Sequence, residues 1–253
     1  MVQKDNIMIN ENDFVSDIIN RNFRTADVFR SYGINISNGY NKSLTQVSEN
    51  KNIDLEELKE ALTNISSPFT ISSSLVADNW SIDFLMDFII NVHHAYLYNA
   101  LPSIKKYIND MENNYGHKFS FRQELLQHLD ELTDFIVPRM KEEEDIVFPY
   151  IRQIAHAYQN AEPYARLLVR TLRKPIEGMV LHNKEFTNFK FKAIRRLTNN
   201  YATTQGACAT QHVLFQKLIE LENDLYQHLN LENNFLYPRI IAIEKELLMQ
   251  TDF

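Results

Sequence analysis

Two glutamates and three histidines stand where apolar residues belong. Following apolar positions at helical spacing, one stripe runs Leu214, Leu218, Leu221, Leu225, His228, Glu232, Phe235. A second runs Leu125, Leu129, Leu132, Ile136, Arg139, Glu143, Ile146, Tyr150. His94 falls in the line Met86, Ile90, His94, Leu97, Leu101, Ile104, and His182 in the line Met179, His182, Phe186, Phe189, Leu197. An i, i+4 pair such as His228 and Glu232 shares one helix face. Imidazole and carboxylate one turn apart can serve a single metal centre. Burying such groups is costly unless they are paired or metal-bound. The set therefore reads as a metal site, with iron or manganese suited to these ligands and zinc also compatible, or as a hydrogen-bonded polar network.

Two of the stripes repeat each other. Arg139, Glu143, Phe148-Pro149 and His228, Glu232, Tyr237-Pro238 share a pattern: basic residue, three spacers, Glu, four spacers, aromatic, Pro. Arg139 stands out, because a guanidinium keeps its proton and offers no lone pair to a metal. It would instead pair with Glu143 or Glu232 and replace the charge of a metal ion, so a single-metal site or none is expected. Of the acidic run 142–145, only Glu143 is expected to face inward. His93 is read as a supporting or surface residue, and Cys208 as inert.

The elements that must position these residues are long helices. Five glycines occur in 253 residues, where ordinary usage gives roughly 18, so few tight turns are needed. Amphipathic helices are predicted at 80–112, 119–158, 163–199 and 208–247, forming an antiparallel up-down bundle. Pro138, Pro149, Pro175 and Pro238 lie inside them and predict kinks or breaks. Ahead of the bundle, a short helix at 25–32 is stopped by Gly33. Leu44 and Val47, then Leu55, Leu58 and Leu62, give two more short apolar faces. The expected organisation is all-α: a small N-terminal helical domain at 1–65, a linker at 66–78 and a four-helix bundle at 79–253.

The net charge of −7 argues against a nucleic acid or an anionic membrane as partner. One cysteine excludes an intramolecular disulfide or a cysteine-built metal cluster within one chain. No apolar run is long enough to span a membrane, and the first twelve residues lack the core of a signal peptide. A cytoplasmic protein is expected. No catalytic triad pattern or glycine-rich phosphate loop is present, so enzymatic activity is left open.

The chain resembles the iron–sulfur cluster repair di-iron proteins, which carry a hemerythrin-like bundle behind a short N-terminal domain. The resemblance rests on Asn22 to Phe29 and Tyr32-Gly33-Ile34, on His93-His94-Ala95-Tyr96, on Glu142-Glu143-Glu144 with Phe148-Pro149, and on His228 to Asn234 with Tyr237-Pro238. The last segment is the most specific. The resemblance implies non-haem iron, mononuclear or di-iron, with His94, Glu143, His228 and Glu232 as ligands and the two glutamates as bridges. It also implies repair of iron–sulfur proteins under nitrosative or oxidative stress, and leaves a homodimer open.

The departures are specific. After Gly33-Ile34-Asn35-Ile36 the family's Cys-Cys-Gly-Gly is replaced by Ser37-Asn38-Gly39-Tyr40, a ligand histidine aligns with Tyr115 (His117 is nearby), and another is Arg139. The third long helix offers either His182, favoured by apolar phase, or Lys184, favoured by residue counting. A metal-free relative acting as a regulatory or protein-binding module is the alternative reading.

Overall fold

Helix ends in the N-terminal part follow local chemistry. In this computed structural model, which describes residues 9–34, 41–65, 77–115, 120–172, 176–203 and 209–249, α1 spans Val15–Arg21 and α2 spans Thr25–Ser31. The sequence reading had not identified α1. Gly33, just past α2, has φ +69°, a left-handed conformation open to glycine and costly for most residues. Ser43 caps α3 (Leu44–Lys51) through a reciprocal pair with Gln46, and Asp54 caps α4 (Leu55–Thr63) through the Glu57 N–H. Each cap satisfies amides that the first turn leaves unpaired. Leu44, Val47, Leu58 and Leu62 are buried, as the two apolar faces require.

Three long helical runs follow, each interrupted by a π-turn. Ser81 caps α5 (Ile82–Phe88), which passes through a π-turn at Ile89–His94 into α6 (Ala95–Tyr115). Helix α7 (Arg122–Glu142) passes through Glu143–Val147 into α8 (Phe148–Gln159). After α9 (Ala165–Leu172) and α10 (Ile176–Leu197), α11 (Ala209–Asn230) passes through Leu231–Leu236 into α12 (Tyr237–Met249). The protein is all-α, and its long helices form a helical bundle. Among the described residues no helix is long and apolar enough to cross a membrane.

Two of the π-turns have a cause in the sequence. Pro149 and Pro238 have no N–H, and in an α-helix each ring would clash with the carbonyl four residues back. Those carbonyls, of Asp145 and Asn234, lie inside the π-turns. The widened turns are closed by Phe148 N–H to the Glu143 carbonyl and Tyr237 N–H to the Glu232 carbonyl. The predicted breaks are thus absorbed at Pro149 and Pro238, while α7 runs on through Pro138. The third predicted helix is two elements, and Pro175 between them lies outside the described residues. No proline explains the π-turn at Ile89–His94.

The extra residue in each π-turn shifts the apolar stripe. Ile89, Val147 and Leu236 are buried where Ile90, Ile146 and Phe235 were expected, and Ile146 is exposed. On α10, Phe189 is 64% exposed, and Thr187, Lys190, Phe191 and Ile194 take the buried face. Lys190 there pairs with Glu131 of α7.

By contacts, the chain divides into two compact units. The first comprises 1–70, 106–119 and 201–219; the second comprises 71–105, 120–200 and 220–253. The expected linker at 66–78 lies almost entirely outside the described residues. The core of the second unit includes Leu85, Ile89, Val147, Phe148, Ile151, Ile154, Leu236 and Ile240. In the first unit, Asp27 of α2 accepts from the Tyr107 hydroxyl (2.9 Å) and from Lys217 Nζ (2.5 Å). The Arg30 guanidinium lies 3.7 Å above the Tyr107 ring and pairs with Asp110. Burial, reinforced by the Asp27 charge, holds the Tyr107 phenol well above its ordinary pKa.

Asp27→Ala would leave two buried donors without their acceptor. It is expected to lower stability by roughly 1–2 kcal/mol, read by urea unfolding. A change within error would mean that the network contributes no net stability.

Candidate metal centre

The three π-turns carry the site. His94 ends the first, Glu143 opens the second and Glu232 lies in the third, with His228 in the last turn of α11. All four side chains are buried. One ligand atom from each of His94, Glu143 and His228 lies within 4.8 Å of the others. His94 Nε2 is 3.2 Å from His228 Nε2 and 3.3 Å from Glu143 Oε2. His228 Nε2 is 3.9 Å from Glu143 Oε2 and 3.3 Å from Glu232 Oε1.

The two oxygens of each carboxylate have different surroundings. Glu143 Oε1 forms an ion pair with Arg139 Nε at 2.8 Å and accepts from the Tyr237 hydroxyl at 3.4 Å. Tyr237 also donates to Glu232 Oε1 at 3.1 Å. Glu143 Oε2 and Glu232 Oε2 are buried and accept no hydrogen bond. Two imidazole nitrogens 3.2 Å apart cannot both present lone pairs to each other without a proton or cation between them. Converging nitrogens beside unpaired carboxylate oxygens fit a divalent cation.

Electrostatics set the resting charge. Burial, then the neighbouring Glu232 charge, pushes the Glu143 carboxyl well above the ordinary range, against the pull of Arg139. Burial also opposes ionisation of Glu232, but His228 and Arg139 outweigh it and bring its pKa down to about 2. Burial lowers the His94 pKa, only partly offset by Glu144. The two buried carboxyls titrate as a pair, Glu143 resisting ionisation and Glu232 favouring it, while the Arg139 guanidinium lies against Glu143.

The structure brings together His94, Glu143 and His228, with Glu232 joined through His228 and Tyr237. His182 and Lys184 lie on α10, but their side chains are outside the described residues. Phe189, which had anchored the phase favouring His182, faces out. Likewise Tyr115 has no described side chain, and His117 and Cys208 fall outside the description. Arg139 lies on Glu143, as its charge requires.

One expectation is corrected: Glu143 is not alone in facing inward, because Glu144 Oε1 reaches His94 Nδ1 at 2.7 Å. The π-turn is the reason, since neighbouring residues on its widened backbone can both turn inward. His93 is buried and bonds Asp224 at 3.0 Å. Sequence reasoning also missed Tyr98, Asp224 and Tyr237. Tyr237 was quoted only as the aromatic before a proline, and that position was its one available signal.

A profile of the hemerythrin HHE cation binding domain matches residues 86–240. The chain belongs to the hemerythrin HHE family. All four buried ligand candidates fall inside the matched region. The iron–sulfur cluster repair protein ScdA of Staphylococcus epidermidis is 24% identical over 235 residues, covering 92% of this chain and all of that protein. YtfE of Edwardsiella ictaluri, also named an iron–sulfur cluster repair protein, is 28% identical, covering 87% of this chain and 92% of its own length. YtfE of Escherichia coli O157:H7 is 25% identical over 224 residues, covering 87% and 93%. The family and these relatives support an iron-related, cation-binding role for this HHE protein.

The two carboxylates predict opposite pH limbs. Glu232, depressed in the folded state, contributes stability that is present above its unfolded pKa of about 4.3 and is lost as pH falls towards its folded value of about 2. Glu143, raised, contributes stability that is present below about 4.3 and lost as pH rises through its folded pKa. Urea unfolding of the metal-free protein should show both limbs. Glu143→Gln, which mimics the protonated acid, should abolish the second limb and keep the first. An unchanged alkaline limb in the variant would refute the raised pKa of Glu143.

Proposed function

We propose that this chain binds a single non-haem iron through His94, Glu143, His228 and Glu232. We place it with the iron–sulfur cluster repair proteins, as a cytoplasmic member acting on iron–sulfur proteins under nitrosative or oxidative stress. The observation that carries the reading is the division of the carboxylate oxygens. Arg139 and Tyr237 occupy Oε1 of Glu143, and Tyr237 also holds Oε1 of Glu232, while both Oε2 atoms are unpaired. A carboxylate with one oxygen engaged by a cation is poorly placed to bridge two metals. Arg139 supplies a fixed positive charge where a second ion would bring its own.

Iron held here would supply Lewis-acid and one-electron chemistry. The protein's own groups would set the conditions: His94 and His228 would present nitrogens, Glu143 would need to be ionised to act as a ligand, and the buried setting excludes water. Arg139 would hold Glu143 in place with the ion absent, which would suit a protein that takes up and releases iron.

The Arg139–Glu143 pair also favours a second reading, in which the bundle is a metal-free regulatory or binding module. Anaerobic titration with ferrous iron separates the two. One iron per chain is expected in the wild type, with affinity lowered at least about tenfold in Glu232→Ala. Arg139→His should raise the stoichiometry towards two. No iron in the wild type, with unfolding unchanged by chelator, would establish the metal-free reading. Two irons with an oxo-bridged visible spectrum would overturn the single-ion site.

A further inference from the structure

The two site imidazoles are held differently at their outer nitrogens. His94 Nδ1 lies 2.7 Å from Glu144 Oε1, and the Tyr98 hydroxyl donates to the same oxygen at 3.3 Å. His228 Nδ1 is buried and has no hydrogen-bond partner. Its ring lies against His93, nearly parallel at 6.0 Å between centroids. At the outer nitrogen, therefore, only His94 has an acceptor that selects its tautomer, whereas His228 meets its carboxylate at Nε2, 3.3 Å from Glu232 Oε1.

We propose that Glu144, steadied by Tyr98, is a positioning residue that holds His94 as the Nδ1–H tautomer. In that form Nε2 turns its lone pair towards Glu143 Oε2 and His228 Nε2, where a cation would sit. The competing tautomer is close at hand. With the proton on Nε2, His94 would face Glu143 Oε2, an unpaired buried acceptor 3.3 Å away. That arrangement would engage Glu143 Oε2 at the expense of the Glu144 contact and would block the nitrogen a cation needs. Glu144 tips the balance by offering Nδ1 an ionic acceptor, and charge-assisted hydrogen bonds are the stronger kind.

The affinity part of this proposal rests on the metal-centre reading; the tautomer part does not. Long-range proton–nitrogen correlation spectra of the 15N-labelled, metal-free protein at fixed pH report the tautomer directly. Wild type should show His94 protonated at Nδ1. Glu144→Ala should move the proton to Nε2, and Glu144→Gln, whose amide oxygen still accepts, should restore Nδ1–H. Cobalt(II) affinity, measured by competition with a chelator, should fall ten- to a hundredfold in Glu144→Ala and by a few-fold at most in Glu144→Gln. An unchanged Nδ1–H signal in a folded Glu144→Ala protein overturns the proposal. A wild type that binds no cobalt would overturn the metal-centre reading, while the spectra would still decide the role of Glu144.

Discussion

Two carboxylates buried side by side in an apolar bundle are the constraint around which the site is arranged. Glu143 and Glu232 are nearly inaccessible to water, and an isolated buried charge is prohibitively costly. The protein meets the cost in three ways at once. Burial holds one carboxyl back from ionising, Arg139 supplies a permanent cation, and Tyr237 donates to both acids. None of these satisfies the Oε2 atoms. What points to a ligand is that the Glu143 Oε2 and Glu232 Oε2 atoms lack a hydrogen bond where the His94 and His228 nitrogens converge.

The backbone solution is a set of π-turns, one in each of three long helical runs. Such turns occur often at functional sites, and here they have a geometric use. At 143–144 the widened turn lets neighbouring residues reach the same site, one as ligand and one as support for His94. At 93–94 it buries both histidines. The prolines after Glu143 and Glu232 favour the wide turn by removing an amide and crowding a carbonyl. The repeated Glu, four spacers, aromatic, Pro is therefore a backbone signal as much as a ligand signal.

Much of this was legible in the sequence. Scarce glycine and helical periodicity identified an all-α chain, and polar residues in apolar stripes picked out His94, Glu143, His228 and Glu232. Arg139 announced its own ion pair, because guanidinium chemistry leaves few alternatives. The errors cluster at the π-turns. Ile146 was placed inward, and Ile90 and Phe235 only border the core, because a constant period carries no term for an inserted residue. Glu144 was lost for the same reason. The first π-turn has no proline to announce it. Phe189 was misplaced because an aromatic at the expected spacing looks like core, whereas Lys190 beside it is buried by pairing with Glu131. Tyr237 was hidden because a phenol in an apolar stripe reads as packing until its hydroxyl has a partner.

The central claim is that the division of the carboxylate oxygens leaves room for one cation. It is tested most directly by anomalous diffraction from crystals grown anaerobically with ferrous iron. The account predicts one iron peak among His94, Glu143 and His228, with Glu232 beside it and Arg139 still paired to Glu143. Two peaks bridged by the glutamates, with Arg139 swung away, would contradict it.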